Sequence, residues 1–105
     1  MNASPKYAVI CCFAVCVATS AFAQASGADT YKARCAMCHG ADGTANTPAG
    51  KLFKAAFSDP AIVKIPDADR AVVVKNGKNK MPAFGDKLSA DQITAVLAYI
   101  RTLEK

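Results

Sequence analysis

Cys35-Ala36-Met37-Cys38-His39 is the stretch of this 105-residue chain whose reading decides the fold. Two thiols three positions apart, followed at once by an imidazole, form the attachment pattern of a c-type haem. Each residue is needed at its place. The sulfurs add across two vinyl groups of the ring, so they must stand about one helical turn apart on one side of a helix. The histidine then lies against the ring and offers a nitrogen to the iron.

Other uses of the motif fit less well. A redox dithiol of the thioredoxin kind expects a βαβ context, which the surrounding pattern does not offer. Zinc asks for four ligands, usually in two separated pairs, and the chain has one histidine and no second cysteine cluster beyond the leader described next. A Cys35–Cys38 disulfide closes a very small loop and gains little.

The first residues point the same way. Lys6 supplies one positive charge, Tyr7 to Val17 is an unbroken apolar run, and Ala21-Phe22-Ala23 has the small-x-small pattern of a signal-peptidase site. We expect residues 1–23 to be a cleaved signal peptide and 24–105 a single monohaem domain, exported to the periplasm or an equivalent compartment of a bacterium. The apolar run falls short of the roughly 20 residues of a membrane span, so no integral span is expected after cleavage. A retained leader acting as an anchor is the lesser alternative. Three of the five cysteines, Cys11, Cys12 and Cys16, belong to the leader, which leaves only the pair of the motif.

Thirteen basic against eight acidic residues give a formal net charge of +5. The basic residues are mostly lysine, with neither an arginine cluster nor an aromatic platform, which argues against a nucleic-acid partner. An acidic redox partner suits the charge better, because opposite charge steers encounter. The domain is small enough that a polypeptide core alone is marginal. The haem-free chain is therefore expected to fold poorly.

Downstream periodicity is helical, with no alternating run long enough for a sheet. Ser26 can cap a first helix that carries Tyr31 and ends at His39-Gly40. Residues 40–50 read as loop, Leu52 to Ala56 and Ala61 to Ile65 as short turns of helix. Asp67 to Lys75 reads as a helix stopped by Asn76-Gly77. Residues 78–86 form a loop. Ser89 and Gln92 make a capping box for the last helix, Leu88 staples onto Ile93, and Ile93, Val96, Leu97, Ile100 and Leu103 share one face.

The second iron ligand must come from few candidates. His39 is the only histidine, and Met37 lies between the anchoring cysteines. Met81, in the loop Lys80-Met81-Pro82-Ala83-Phe84, remains. Its competing use is ordinary core packing. Thioether ligation beside histidine raises the reduction potential and fills both axial positions.

With those motifs in view, residues 26–105 resemble a class I c-type cytochrome of the short soluble bacterial kind. The resemblance implies an all-α, cytochrome c-like fold with three to five short helices wrapped around one haem. The haem is held covalently through Cys35 and Cys38, with His39 and Met81 on the iron. It further implies a non-enzymatic, monomeric one-electron carrier that docks on redox proteins with acidic faces. Gly27, Tyr31 and Tyr99 match the family's crossing of first and last helices. Pro48 matches the proline whose carbonyl holds the ligand histidine. The chain has no tryptophan to bond a haem propionate. Lys51, Lys54 and Arg70 are the candidates in its place. Lys75, Lys78, Lys80 and Lys87 flank Met81 as a candidate docking ring, or as a solvated loop kept for solubility. A ligand-binding haem protein and a subunit of a larger complex remain open at this level.

Overall fold

In the computed structural model, residues 26–104 are described. The expected leader, residues 1–23, lies outside them. Six helical segments follow in order: α1 (Gly27–Arg34), α2 (Ala36–His39), α3 (Pro48–Phe53), α4 (Pro60–Val63), α5 (Asp67–Asn76) and α6 (Ala90–Leu103). Among the described residues there is no strand, only an isolated antiparallel bridge between Lys78 and Met81. The all-α expectation holds. No helix among the described residues is long and apolar enough to cross a membrane.

Ser26 starts α1 as its sequence implies, its hydroxyl accepting from the Asp29 N–H at 3.1 Å. The expected single helix to His39 is interrupted at Cys35, a turn residue whose φ of −114° departs from the helical norm while its ψ of −36° stays in the helical region. The ladder nevertheless carries across: Cys35 N–H donates to Tyr31 O and His39 N–H to Cys35 O, both at 2.9 Å. The result is one slightly broken rod that presents the cysteines and histidine at its end.

Three later boundaries move. α3 begins at Pro48, not Leu52, because Thr47 caps it by accepting from the Gly50 N–H at 2.8 Å and proline occupies the first turn. α4 spans Pro60–Val63 with Asp59 as cap, starting one residue and ending two residues before the expected Ala61 to Ile65. α5 runs to Asn76, one residue beyond the expected end, and stops at Gly77, whose φ of 75° is a conformation glycine adopts freely. α6 carries the complete capping box, Ser89 and Gln92 each satisfying the other's backbone.

The core lies where α1, α5 and α6 meet. Ile93, Val96, Leu97 and Ile100 form the buried face of α6, with Leu103 half-buried at its end. Each such side chain taken from water contributes about 1.5–3 kcal/mol before entropy is counted. α1 crosses α6 at a backbone contact. An ideal Cβ on Gly27 would sit 2.7 Å from the Ala95 carbonyl carbon, so only glycine fits there. Beyond it Tyr31, fully buried, meets Tyr99 with ring centroids 5.3 Å apart. The three residues expected at the crossing are the ones that make it.

Candidate functional site

A cavity of about 150 Å³, open along one side, lies among the helices. Its lining is almost wholly apolar. Cys35 and His39 contribute from the first rod, Val73 and Val74 from α5, Met81 and Phe84 from the loop after it, and Val96, Leu97 and Ile100 from α6. Phe57, Ile62, Ile65, Leu88 and Arg70 complete it.

His39 is held by two neighbours. Its Nδ1 lies 2.6 Å from the Ala55 carbonyl oxygen. A carbonyl only accepts, so Nδ1 carries the proton and the Nε2 lone pair is left for a metal. The Phe57 ring stacks on the imidazole, centroids 4.4 Å apart and planes 15° from parallel. Burial lowers the imidazole's pKa below its ordinary value, with the Ala55 carbonyl pulling the other way. A neutral imidazole with one fixed proton is the form that coordinates iron.

The partner carbonyl corrects the sequence reading, which assigns it to Pro48. Pro48 is the first residue of α3, so its carbonyl points along that helix. The chain leaves α3 through Lys54 in the left-handed conformation, φ 51° and ψ 51°. That reversal aims the next carbonyl, Ala55, back at His39. Sequence reasoning also missed Phe57, although a lone phenylalanine after the reversal was the available signal. Thr47 adds a further tie, donating from its hydroxyl to the Cys38 carbonyl at 2.8 Å.

Cys35 lies in the cavity wall, and Cys38 stands a turn further on, half-buried. Burial pushes the Cys35 thiol up to about 11, with Cys38 adding to the effect. Met37 between them is 83% exposed, which removes it from any role at the iron.

Met81 is brought to the cavity by its loop. Lys78 and Met81 exchange backbone hydrogen bonds of 3.1 and 2.9 Å, closing a tight turn. Phe84 and Gly85 then donate to the carbonyls of Val74 and Lys75 at 2.9 and 3.0 Å, folding the loop back along the end of α5. Gly77 permits this approach, since a Cβ there would lie 2.7 Å from the Met81 carbonyl oxygen. His39 and Met81 therefore line the same apolar space.

The three propionate candidates separate. Lys51 and Lys54 are exposed on and just beyond α3. Arg70 is buried, and its guanidinium is taken up by Ile62 O, Ile65 O and Glu104. Lys75, Lys78, Lys80 and Lys87 are all exposed, with the Lys87 ammonium 5.7 Å from the Phe84 ring centroid.

The donor set suits a haem on its own chemistry. One neutral imidazole and one thioether face an apolar cavity with aromatic rings in its walls, with Cys35 in the wall and Cys38 a turn further on. Among the described residues no group of three or more histidine, cysteine or acidic residues is placed to hold a bare metal ion.

Comparison with known proteins agrees with this geometry. Residues 22–100 match the family described as cytochrome C oxidase, cbb3-type, subunit III. A cytochrome c6 of Synechococcus sp. (strain ATCC 27167 / PCC 6312) is 40% identical over 87 residues, covering 80% of this chain and 75% of its own length. The cytochrome c6 of Aphanizomenon flos-aquae is 39% identical over 77 residues, covering 71% and 84%. Among solved structures, the KustC0563 c-type cytochrome superposes with a TM-score of 0.68 at 26% identity, covering 76% of this chain and 99% of that one.

Proposed function

The chain belongs to the class I c-type cytochromes as a small monohaem member, and we propose that it carries single electrons with His39 and Met81 as the axial ligands of its haem iron. Cys35 and Cys38 are the covalent anchors in this reading. The observation that carries it is the convergence of His39, with its Nδ1 proton fixed, and Met81 on one apolar cavity. When bound, the haem c supplies the Fe(III)/Fe(II) couple.

The chain's own residues do the rest. Ala55 and Phe57 fix the imidazole plane, and the Ala55 bond keeps the ring basic. The Lys78–Met81 turn, pinned to the end of α5, holds the thioether without asking α5 or α6 to move. Two protein ligands leave no position for substrate, which favours transfer of electrons over catalysis. The apolar walls exclude water, which limits reorganisation around a changing charge. The exposed lysines beside Met81 are the proposed docking ring for partners with acidic faces, and we place the carrier, as a monomer, in the periplasm after removal of residues 1–23.

Absorption spectra of the purified, oxidised and reduced protein test the ligands. Parent protein should be low-spin, show the weak red band of methionine sulfur on ferric iron, and ignore carbon monoxide. Met81→Ala should lose that band and bind the gas. Carbon monoxide binding by the parent would refute Met81 ligation. The family match to an oxidase subunit supports a second reading, a haem module docked in a larger complex. Copurification of the native protein with membrane partners at moderate salt decides between the two.

A further inference from the structure

Among the described residues, Arg70 is the only one with a permanent charge in the cavity wall, and it is 7% exposed. Its Nε donates to Ile65 O at 3.0 Å and Nη2 to Ile62 O at 2.6 Å, while Nη1 pairs with Glu104. The Glu104 side chain is also 7% exposed. It accepts in addition from Arg101 Nη1 at 3.0 Å, and Arg101 reaches Asp67 at the surface. Charges therefore alternate outward from the cavity: Arg70, Glu104, Arg101, Asp67.

Stability alone does not explain a buried pair here. Desolvating two ions cancels most of their attraction, and apolar residues of like volume often serve as well. Their field is another matter. Charge acts strongly where water is excluded, and the positive member of this pair is the one on the cavity wall. A positive charge there favours whichever redox state holds the extra electron.

We propose that Arg70 and Glu104 set the reduction potential of the haem from opposite sides, Arg70 raising it and Glu104 lowering it. The proposal rests on the haem-in-cavity reading above. Arg70 acts at a distance, as a positioning charge and not a ligand.

Redox titration of the full-length, haem-loaded protein against a fixed mediator couple tests it, using R70Q, R70K and E104Q. Optical spectra are taken first, so that any change at Met81 is seen separately. R70Q should shift the equilibrium at least threefold toward the oxidised form, about 28 mV at 59 mV per tenfold for one electron. E104Q should shift it at least threefold toward the reduced form. R70K should stay within twofold of the parent despite weaker carbonyl bonds. Shifts of the same sign in R70Q and E104Q, shifts under twofold in both, or an R70K shift as large as that of R70Q would overturn the proposal. If R70Q yields no folded protein, the sign of E104Q together with R70K decides. A parent spectrum without methionine character refutes the Met81 assignment instead, and leaves the sign test standing.

Discussion

Gly27→Ala should be among the most damaging single-methyl additions in this protein. An ideal Cβ at that position lies 2.7 Å from the Ala95 carbonyl carbon and 3.2 Å from the Val96 nitrogen. Carbon atoms rest at about 3.5–4.0 Å, so α1 and α6 must part by roughly 0.8 Å at the contact. The atoms met are backbone and cannot rotate aside. Overpacking costs about 1–3 kcal/mol when side chains can adjust, and parting the helices also loosens Tyr31 and Val96, the two side chains most completely buried. The better helix propensity of alanine returns at most about 1 kcal/mol, and less at the first helical position. A net loss of about 2–3 kcal/mol follows. At about 4–8 °C per kcal/mol for a domain of this size, the melting midpoint should fall by roughly 10–20 °C. Thermal melts of the haem-loaded protein followed by circular dichroism at 222 nm read this directly, with Lys32→Ala on the exposed face of α1 as control. A G27A midpoint within 3 °C of the parent would show that the crossing does not depend on backbone contact.

Three further outcomes follow from other parts of the fold. Ser89→Ala removes the cap of α6 and one arm of its box, and should lower the urea midpoint by the equivalent of about 0.5–2 kcal/mol with an unchanged slope; a shift in slope would point to a changed native state instead. Tyr31→Phe deletes the hydroxyl that donates to the buried Gly40 carbonyl at 2.6 Å. It should cost about 0.5–1.5 kcal/mol, the net worth of one hydrogen bond, because that oxygen keeps its 3.2 Å bond from the Gly43 N–H, and no loss in denaturant titration would contradict the pairing. Asp42 accepts from the Thr44 hydroxyl and N–H, which lowers its pKa below the usual 3.8. Its stabilising contribution is present above 3.8 and lost as pH falls through the lowered value, so an NMR titration midpoint at or above 3.8 would overturn the turn geometry.

Much of the site was legible before any coordinates because its parts are local. Cys35, Cys38 and His39 are recognisable by spacing, since one helical turn sets their relation. Met81 follows from a count of available donors, and the structure brings it to the same cavity as His39. The caps of α1 and α6 are decided within four residues of chain, and the α6 stripe by period alone. The start of α3 was legible too, in the Thr47-Pro48 pair, though the glycine-rich composition around it masks the signal.

What tertiary structure alone decided is which distant group each side chain meets. Ala55, not Pro48, holds His39, because a left-handed turn at Lys54 redirects a carbonyl 16 residues from the ring. Arg70 reads in sequence as one of three candidates for a haem propionate, yet its guanidinium is buried against Glu104, 34 residues away. Spacing along a helix fixes neighbours within a turn or two, whereas the partner of a long polar side chain depends on how separate elements pack. The sequence by itself determined that this protein binds a haem on an all-helical frame; the packing of α4, α5 and α6 determined that Arg70 lies in the cavity wall.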